Sequence, residues 1–185
     1  MERKIVLKYL KLFSIGFLVI TILELIIFFL FSFFIVIKLD SMNSNLYDLL
    51  SLSGNFVFQA YILWYFLLSV IILYIILSFS YLLISIKKKM DDIDLARYLL
   101  ITGVFVVSAA FIKMEYIYLI ARIKINYMSN SLALFEIIYD GSMMPILGII
   151  YWFYFMVVVC CFLISGLIFG GVGLRWLSAM KGNKK

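Results

Sequence analysis

Four long apolar runs dominate the pattern of hydrophobic and polar positions along this chain. Each run exceeds the roughly 20 residues that a helix needs to cross the hydrocarbon core of a bilayer. We predict membrane-spanning helices at Leu12–Ile37, Phe58–Ile84, Tyr98–Ala121 and Pro145–Phe169. The first run is too long for the apolar segment of a signal peptide and has no small-residue cleavage site. We therefore expect it to be a retained helix.

The segments that follow the first and third runs carry shorter helical patterns. Ser44–Gly54 and Asn130–Gly141 each begin with residues that cap helices and end with glycine. Their apolar residues recur at helical spacing, namely Leu46, Leu49 and Leu50, then Leu132, Phe135 and Ile138. We predict two short amphipathic helices that lie on the outer membrane surface. The predicted fold class is therefore all-α, a four-helix transmembrane bundle with a surface helix in each outer loop.

The composition agrees with a membrane protein. Of the 185 residues, 66% are hydrophobic and 14% are charged, which excludes an ordinary soluble domain. No linker divides the chain, so residues 1–185 are predicted to form one polytopic domain. Residues 1–86 and 87–175 also resemble each other weakly, as expected for a parallel repeat of two hairpins. The matched residues are Met42, Leu46, Gly54 and Trp64 in the first, and Met128, Leu132, Gly141 and Trp152 in the second.

Basic residues predict the orientation of the helices. Twelve lie on one side: Arg3, Lys4, Lys8, Lys11, Lys87, Lys88, Lys89, Arg97, Arg175, Lys181, Lys184 and Lys185. Only Lys38, Arg122 and Lys124 lie on the other side. The positive-inside rule then places both termini and the middle loop in the cytoplasm of a multi-pass cell-membrane protein. The net charge of +6 thus reflects topology, and no nucleic-acid partner is expected.

Three charged residues interrupt the apolar runs: Glu24, Lys113 and Glu115. A charge at mid-bilayer costs about 2.5 to 3.5 kcal/mol on insertion scales, so such residues tend to be paired or functional. Glu24 lies near the centre of the first run. Lys113 lies slightly outward in the third, but side chains lean toward the start of their helix, which brings the lysine back toward the depth of Glu24. We therefore expect a Glu24–Lys113 ion pair.

Glu115 cannot share that partner, because residues two apart lie on opposite sides of a helix. It would face a second internal surface, an aqueous path or another subunit. Two interpretations stay open for the three charges. They hold helices together or dock a partner helix, or Glu24 and Glu115 line a proton or cation path while Lys113 sets the charge state of Glu24. Three charges are few for a pathway, which favours the first interpretation.

The fourth run carries a stripe of glycines, with Gly148, Gly166 and Gly170 as candidates for helix packing. Small residues allow close approach of helices in lipid, where no hydrophobic force drives association. The contact could be internal or between copies of the chain. Alternatively, Gly170 and Gly171 end the helix.

The sequence offers little catalytic chemistry. It has no histidine, no phosphate-binding glycine loop and no nucleophile elbow, and its two cysteines are adjacent at Cys160 and Cys161. We therefore expect no catalytic, cofactor or metal site.

The favoured function is an accessory or assembly subunit of a larger membrane complex. Its expected partners are the lipid bilayer and other membrane subunits, or further copies of the chain. The alternative is a small homo-oligomeric transporter or channel that uses Glu24 and Glu115. An enzyme that acts on lipid comes third.

Overall fold

The chain is largely helical. The computed structural model describes residues 3–39, 42–51, 57–86, 91–127, 130–141 and 145–182. Its long helices are α1 (Arg3–Phe29), α3 (Val57–Ile86), α4 (Asp92–Ala121) and α6 (Pro145–Gly182). These four are long and apolar enough to cross a membrane, with mean hydropathy between 2.0 and 2.7 in their most apolar windows. This agrees with an all-α bundle. Of the basic residues counted above, Lys87, Lys88, Lys89, Lys184 and Lys185 lie outside the described residues.

Two boundaries differ from the sequence-based prediction. α1 continues into a π turn (Leu30–Phe34), and Ile37, the predicted end of the first helix, lies in a strand. α6 runs past the predicted end at Phe169 and continues through Gly170 and Gly171 to Gly182. Hydropathy detects only the part of a helix that suits lipid, whereas backbone hydrogen bonds carry the helix on into polar sequence. Gly170 and Gly171 therefore do not end α6.

The connections between the long helices contain strands that the sequence analysis missed. β1 (Ile37–Leu39) pairs antiparallel with β2 (Met42–Ser44), and β3 (Lys124–Tyr127) pairs antiparallel with β4 (Asn130–Ala133). A short helix follows each hairpin, α2 (Leu46–Leu50) and α5 (Leu134–Gly141).

The short helices occupy part of the segments where we predicted them. The Asn45 side chain caps α2 by accepting a hydrogen bond from the Asp48 N–H at 2.8 Å. In the second segment the prediction was wrong for residues 130–133, which form a strand. The ladder with β3 pairs part of their backbone groups, and the helix begins only at Leu134. The position of both helices on a membrane surface stays a prediction.

The elements occur twice in the same order. A long helix, a two-stranded hairpin, a short helix and a second long helix make up the N-terminal half (residues 3–86) and again the C-terminal half (residues 92–182). The strand registers match when residue numbers are shifted by 88, since Ile37 pairs with Ser44 and Ile125 pairs with Leu132. By this register Leu46 corresponds to Leu134, and not to Leu132 as the sequence comparison had it.

Buried positions follow the same correspondence. Buried residues of α1 recur in α4 with a shift of 89: Val6 and Leu95, Leu10 and Leu99, Phe17 and Val106, Glu24 and Lys113, Phe28 and Ile117. Those of α3 recur in α6 with a shift of 88: Trp64 and Trp152, Leu67 and Phe155, Tyr74 and Phe162, Tyr81 and Phe169. The two halves thus bury equivalent faces of equivalent helices.

Contacts divide the chain into two compact units, and each unit draws on all four long helices. The first unit contains the residues up to Ile22, Ile72–Phe111 and the residues from Val158 onward. Tyr74 stacks on Phe162 in its core, with ring centroids 4.0 Å apart, and Phe17 packs on the same phenylalanine at 4.8 Å. An exposed ion pair at 2.7 Å joins Arg3 to Asp92.

The second compact unit contains Leu23–Ile71 and Ile112–Val157, and therefore both hairpins and both short helices. Its core is aromatic. Phe28 packs on Trp64 at 4.8 Å between ring centroids, and Phe31 packs on Tyr151 at 4.5 Å. Ile37 and Leu134 are completely buried in the same unit. The charged residues singled out in the sequence all lie in this unit.

Candidate functional site

Glu24 and Lys113 form a buried ion pair in the second compact unit. The lysine Nζ donates to the Glu24 Oε1, and both side chains are 0% exposed. α1 positions the acid, and α4 positions the base at the equivalent place, 89 residues further along the chain. The structure therefore brings together the two charges that the sequence suggested could meet.

Aromatic rings surround the pair. The Lys113 Nζ lies 5.5 Å from the ring centroid of Phe155, a distance at which a cation is attracted to the face of the ring. Phe155 in turn packs against Tyr151 at 4.8 Å and Phe28 at 6.5 Å. The second carboxylate oxygen of Glu24, Oε2, is buried and accepts no hydrogen bond from the described residues. The pair thus lies in a low-dielectric, ring-lined environment.

The pair is closed to solvent in this arrangement. Both side chains are completely buried, and the ring centroid of Phe155 lies 5.5 Å from the Lys113 Nζ. The attraction between two opposite charges is strong in such surroundings, and removing either partner leaves an uncompensated charge.

Glu115 lies away from the pair, on the exposed face of α4. Its neighbours on that face are large and apolar, with Met114 42% and Tyr118 48% exposed. Glu115 has no ion pair or hydrogen bond to any residue that the structure describes. Its counterpart in the N-terminal half is Ile26, which is 49% exposed. Of the three interpretations for Glu115, the second internal surface is therefore wrong for the part of the chain described.

The candidate packing glycines lie at close contacts within the chain. A Cβ atom on Gly103 of α4 would come within 2.6 Å of the Gly170 Cα and 2.8 Å of the Gly166 carbonyl oxygen of α6. A Cβ on Gly166 would lie 2.9 Å from the Gly103 carbonyl oxygen. Gly148 lies against the backbone of Ile138 in α5. Sequence reasoning missed Gly103, because a single glycine in an apolar run has no pattern of its own.

An apolar groove in the second compact unit was also missed. The end of α4, the helix α5 and the start of α6 form a depression of about 360 Å³, here called the Trp152 groove. Its wall includes Tyr118, Ala121, Phe135, Ile149, Trp152 and Phe153. Trp152 is 9% exposed, and its indole Nε1 is buried without a hydrogen-bond partner among the residues that the structure describes. Periodicity could not reveal this groove, since it depends on residues from three elements.

No metal site is visible among the described residues, where no three His, Cys, Asp or Glu side chains cluster. Comparison of the chain with protein-family models, with curated proteins and with solved structures returns no match. The function therefore has to be argued from the charges, the packing and the exposed surfaces.

Proposed function

We propose that the chain is a non-catalytic multi-pass membrane protein that acts as an accessory or assembly subunit of a larger membrane complex. In this proposal the four long helices cross the cell membrane with both termini in the cytoplasm, as the distribution of basic residues favours. The subunit binds a partner membrane helix through the exposed face of α4 around Glu115.

The exposure of Glu115 carries this proposal. The residue is six positions before the end of α4 at Ala121, which is roughly 9 Å along a helix that rises 1.5 Å per residue. A glutamate side chain is too short to reach the interface from that depth. Ionised and facing lipid, it would cost up to about 3 kcal/mol. A partner helix that covers it removes this cost, and the equivalent Ile26 of the N-terminal half needs no such cover.

The chemistry of Glu115 indicates the kind of partner. An exposed carboxylate in an apolar face accepts hydrogen bonds and attracts positive charge. A membrane helix with a lysine, an arginine or a group of Ser and Thr hydroxyls at the same depth would satisfy it. Ile112, Met114 and Leu119 around it are exposed apolar side chains that would pack against such a helix.

The transport alternative receives less support. It requires Glu24 to exchange ions, yet Glu24 is paired with Lys113 and completely buried. Glu115 lies on the exposed face of α4 and not beside that pair. This separation gives no support to a single path lined by both acids.

Purification in mild detergent followed by mass determination tests the proposal. We expect a stoichiometric membrane partner to accompany the chain, and the Glu115→Ile variant, which carries the residue found at the equivalent position of α1, to lose it at least tenfold. Glu115→Asp keeps the charge and should retain the partner. Ile26→Leu is the matched control on the exposed face of α1 and should behave like the wild type.

Two results would contradict the proposal, the first its interface and the second the accessory role itself. A partner retained equally by the wild type and by Glu115→Ile would mean that this face is not the interface. A homo-oligomer that moves protons or cations in liposomes, with flux abolished by Glu24→Gln, would favour the transporter.

A further inference from the structure

We infer that the Trp152 groove is a binding site for one anionic glycerophospholipid. In this site an acyl chain lies in the groove, the Trp152 ring turns so that its buried indole N–H donates to an ester carbonyl, and the phosphate faces Arg122. The inference rests on the membrane insertion proposed above and does not use the partner at Glu115, although Tyr118 belongs both to that face of α4 and to the groove wall.

Trp152 differs in its hydrogen bonding from Trp64, its equivalent in the N-terminal half. The Trp64 Nε1 donates to the Ser32 hydroxyl at 3.0 Å, and this hydroxyl in turn donates to the Phe28 carbonyl at 2.7 Å. The corresponding stretch of α4, Leu119–Ala121, has only apolar side chains, and Ala121 lines the groove. Trp152 thus keeps the donor, and no described residue supplies an acceptor for it. A buried donor without an acceptor costs about 1 to 3 kcal/mol, which an acceptor arriving from outside would recover.

The two halves also differ in the side chains beside the tryptophan. In the N-terminal half the Tyr47 ring centroid lies 5.3 Å from that of Trp64 and 5.0 Å from that of Tyr61. In the C-terminal half Phe135 keeps the contact with the tryptophan, at 5.7 Å from Trp152, but Ile149 stands in place of Tyr61, and the wall encloses a groove of about 360 Å³. Almost all of its surface is apolar, so a hydrocarbon chain suits it and a polar solute does not.

Arg122 places a positive charge beside the groove. The guanidinium of Arg122 lies 4.5 Å over the ring of Tyr118, which is part of the groove wall. The nearby acid Glu136 is engaged at the start of α5, where it accepts the Ala133 N–H at 3.1 Å. Arg122 lies one helical turn beyond Tyr118, at the end of α4. A glycerophospholipid carries its carbonyls and its phosphate in the same order, with the acyl chains on the inner side. An anionic headgroup would therefore meet an arginine, which binds phosphate well.

Lipid retention by the full-length chain tests the site. The protein is purified in mild detergent, equilibrated with equal amounts of phosphatidylglycerol and phosphatidylcholine, and analysed by native mass spectrometry. We expect one retained phosphatidylglycerol per chain. Trp152→Phe should lower retention about three- to tenfold, the value of one hydrogen bond. The matched control Trp64→Phe removes an indole N–H that already has an internal acceptor, and it should leave retention unchanged.

Three further variants probe the other contacts. Ile149→Tyr introduces the side chain that the N-terminal half carries and should abolish retention by filling the groove. Ala121→Ser offers an internal acceptor and should lower retention. Arg122→Gln should remove the preference for phosphatidylglycerol over phosphatidylcholine. Far-UV circular dichroism of each variant checks that it is folded.

Fluorescence gives a second readout that does not require the lipid to survive purification. A variant with Trp64→Phe and Trp176→Phe keeps Trp152 as its single tryptophan. Phosphatidylglycerol with brominated acyl chains should quench it in vesicles, and Ile149→Tyr in the same background should reduce the quenching severalfold.

The outcomes separate this inference from the proposed function. A chain that inserts into vesicles but retains lipid equally in Trp152→Phe and Trp64→Phe overturns the lipid site alone. Retention of a second copy of the chain in place of lipid, lost in Ile149→Tyr, also overturns it. A chain that does not insert into vesicles overturns the proposed function.

Discussion

Glu24 and Lys113 occupy equivalent positions in the two halves of the chain and pair with each other. Both are completely buried, and 89 residues separate them. Equivalent helices thus present the two charges to each other, although the Phe155 ring beside Lys113 has Leu67 as its counterpart.

Exchanging the two charges should preserve the fold. We expect the free energy of unfolding of the double variant Glu24→Lys with Lys113→Glu to lie within about 1 kcal/mol of the wild-type value in detergent, because the pair is restored with reversed polarity. Each single reversal places like charges together in a low-dielectric site and should cost at least 3 to 5 kcal/mol, about the penalty for breaking a buried pair. Thermal unfolding followed by circular dichroism measures both. A double variant as unstable as the single ones would show that the two positions are not interchangeable.

Replacing the pair by apolar residues tests whether the two charges have a functional role or only hold the helices together. Glu24→Leu combined with Lys113→Met should be neutral or stabilising by about 1 to 4 kcal/mol, since the desolvation cost of both charges is removed. Glu24→Leu alone leaves a buried ammonium and should be destabilised. Complex formation by the double variant should match the wild type. A folded double variant that no longer formed the complex would contradict a purely structural role of the pair.

The contact between α4 and α6 predicts opposite effects of alanine substitution at two glycines, one inside the contact and one outside it. Gly103→Ala places a methyl group 2.6 Å from the Gly170 Cα, so the helices must separate, at a cost of about 1 to 3 kcal/mol. Gly171→Ala meets nothing within 4 Å and should be stabilising by about 0.5 to 1 kcal/mol through helix propensity. Unfolding in detergent compares them. Equal effects of the two substitutions would contradict the close approach.

Ser32 supplies the hydrogen-bond acceptor for the Trp64 indole, and removing its hydroxyl should lower the stability of the chain. Ser32→Ala leaves the buried indole N–H without a partner and should lower stability by about 1 to 3 kcal/mol. Ser69→Ala is a suitable control, because the Ser69 hydroxyl is exposed and bonds only to the carbonyl of Tyr65 in its own helix. The difference between the two variants in thermal unfolding isolates the Trp64 contact. No difference would place the indole in contact with another acceptor.

The strongest sequence signals concerned single helices. Hydropathy located the four long helices, because length and apolarity are local properties. Helix geometry likewise predicted that Glu24 and Lys113 could meet and that Glu115 could not join them, since 3.6 residues per turn fixes the face of each residue. The structure agrees with this prediction, since Glu24 and Lys113 are buried together and Glu115 is exposed.

What the sequence could not reveal depends on contacts between elements. The pairing of Asn130–Ala133 with Lys124–Tyr127 was missed, because apolar residues at helical spacing also fit a short strand that ends at a helix. The role of Gly103 and the unpartnered indole of Trp152 each arise where two or more elements meet. The equivalence of the halves was also hard to see, because the equivalent buried positions named above are mostly apolar in both halves and few share identity.

The π turn at Leu30–Phe34 has a consequence for how the N-terminal half keeps its shape. Phe28 and Ile37 are nine residues apart, whereas their equivalents Ile117 and Ile125 are eight apart, so this half carries one additional residue. In a regular α-helix an additional residue rotates everything after it by about 100°. The wider π turn takes up the residue locally, and Ile37 enters the hairpin in the same phase as Ile125. The chain can therefore differ in length between its halves without turning either hairpin inside out.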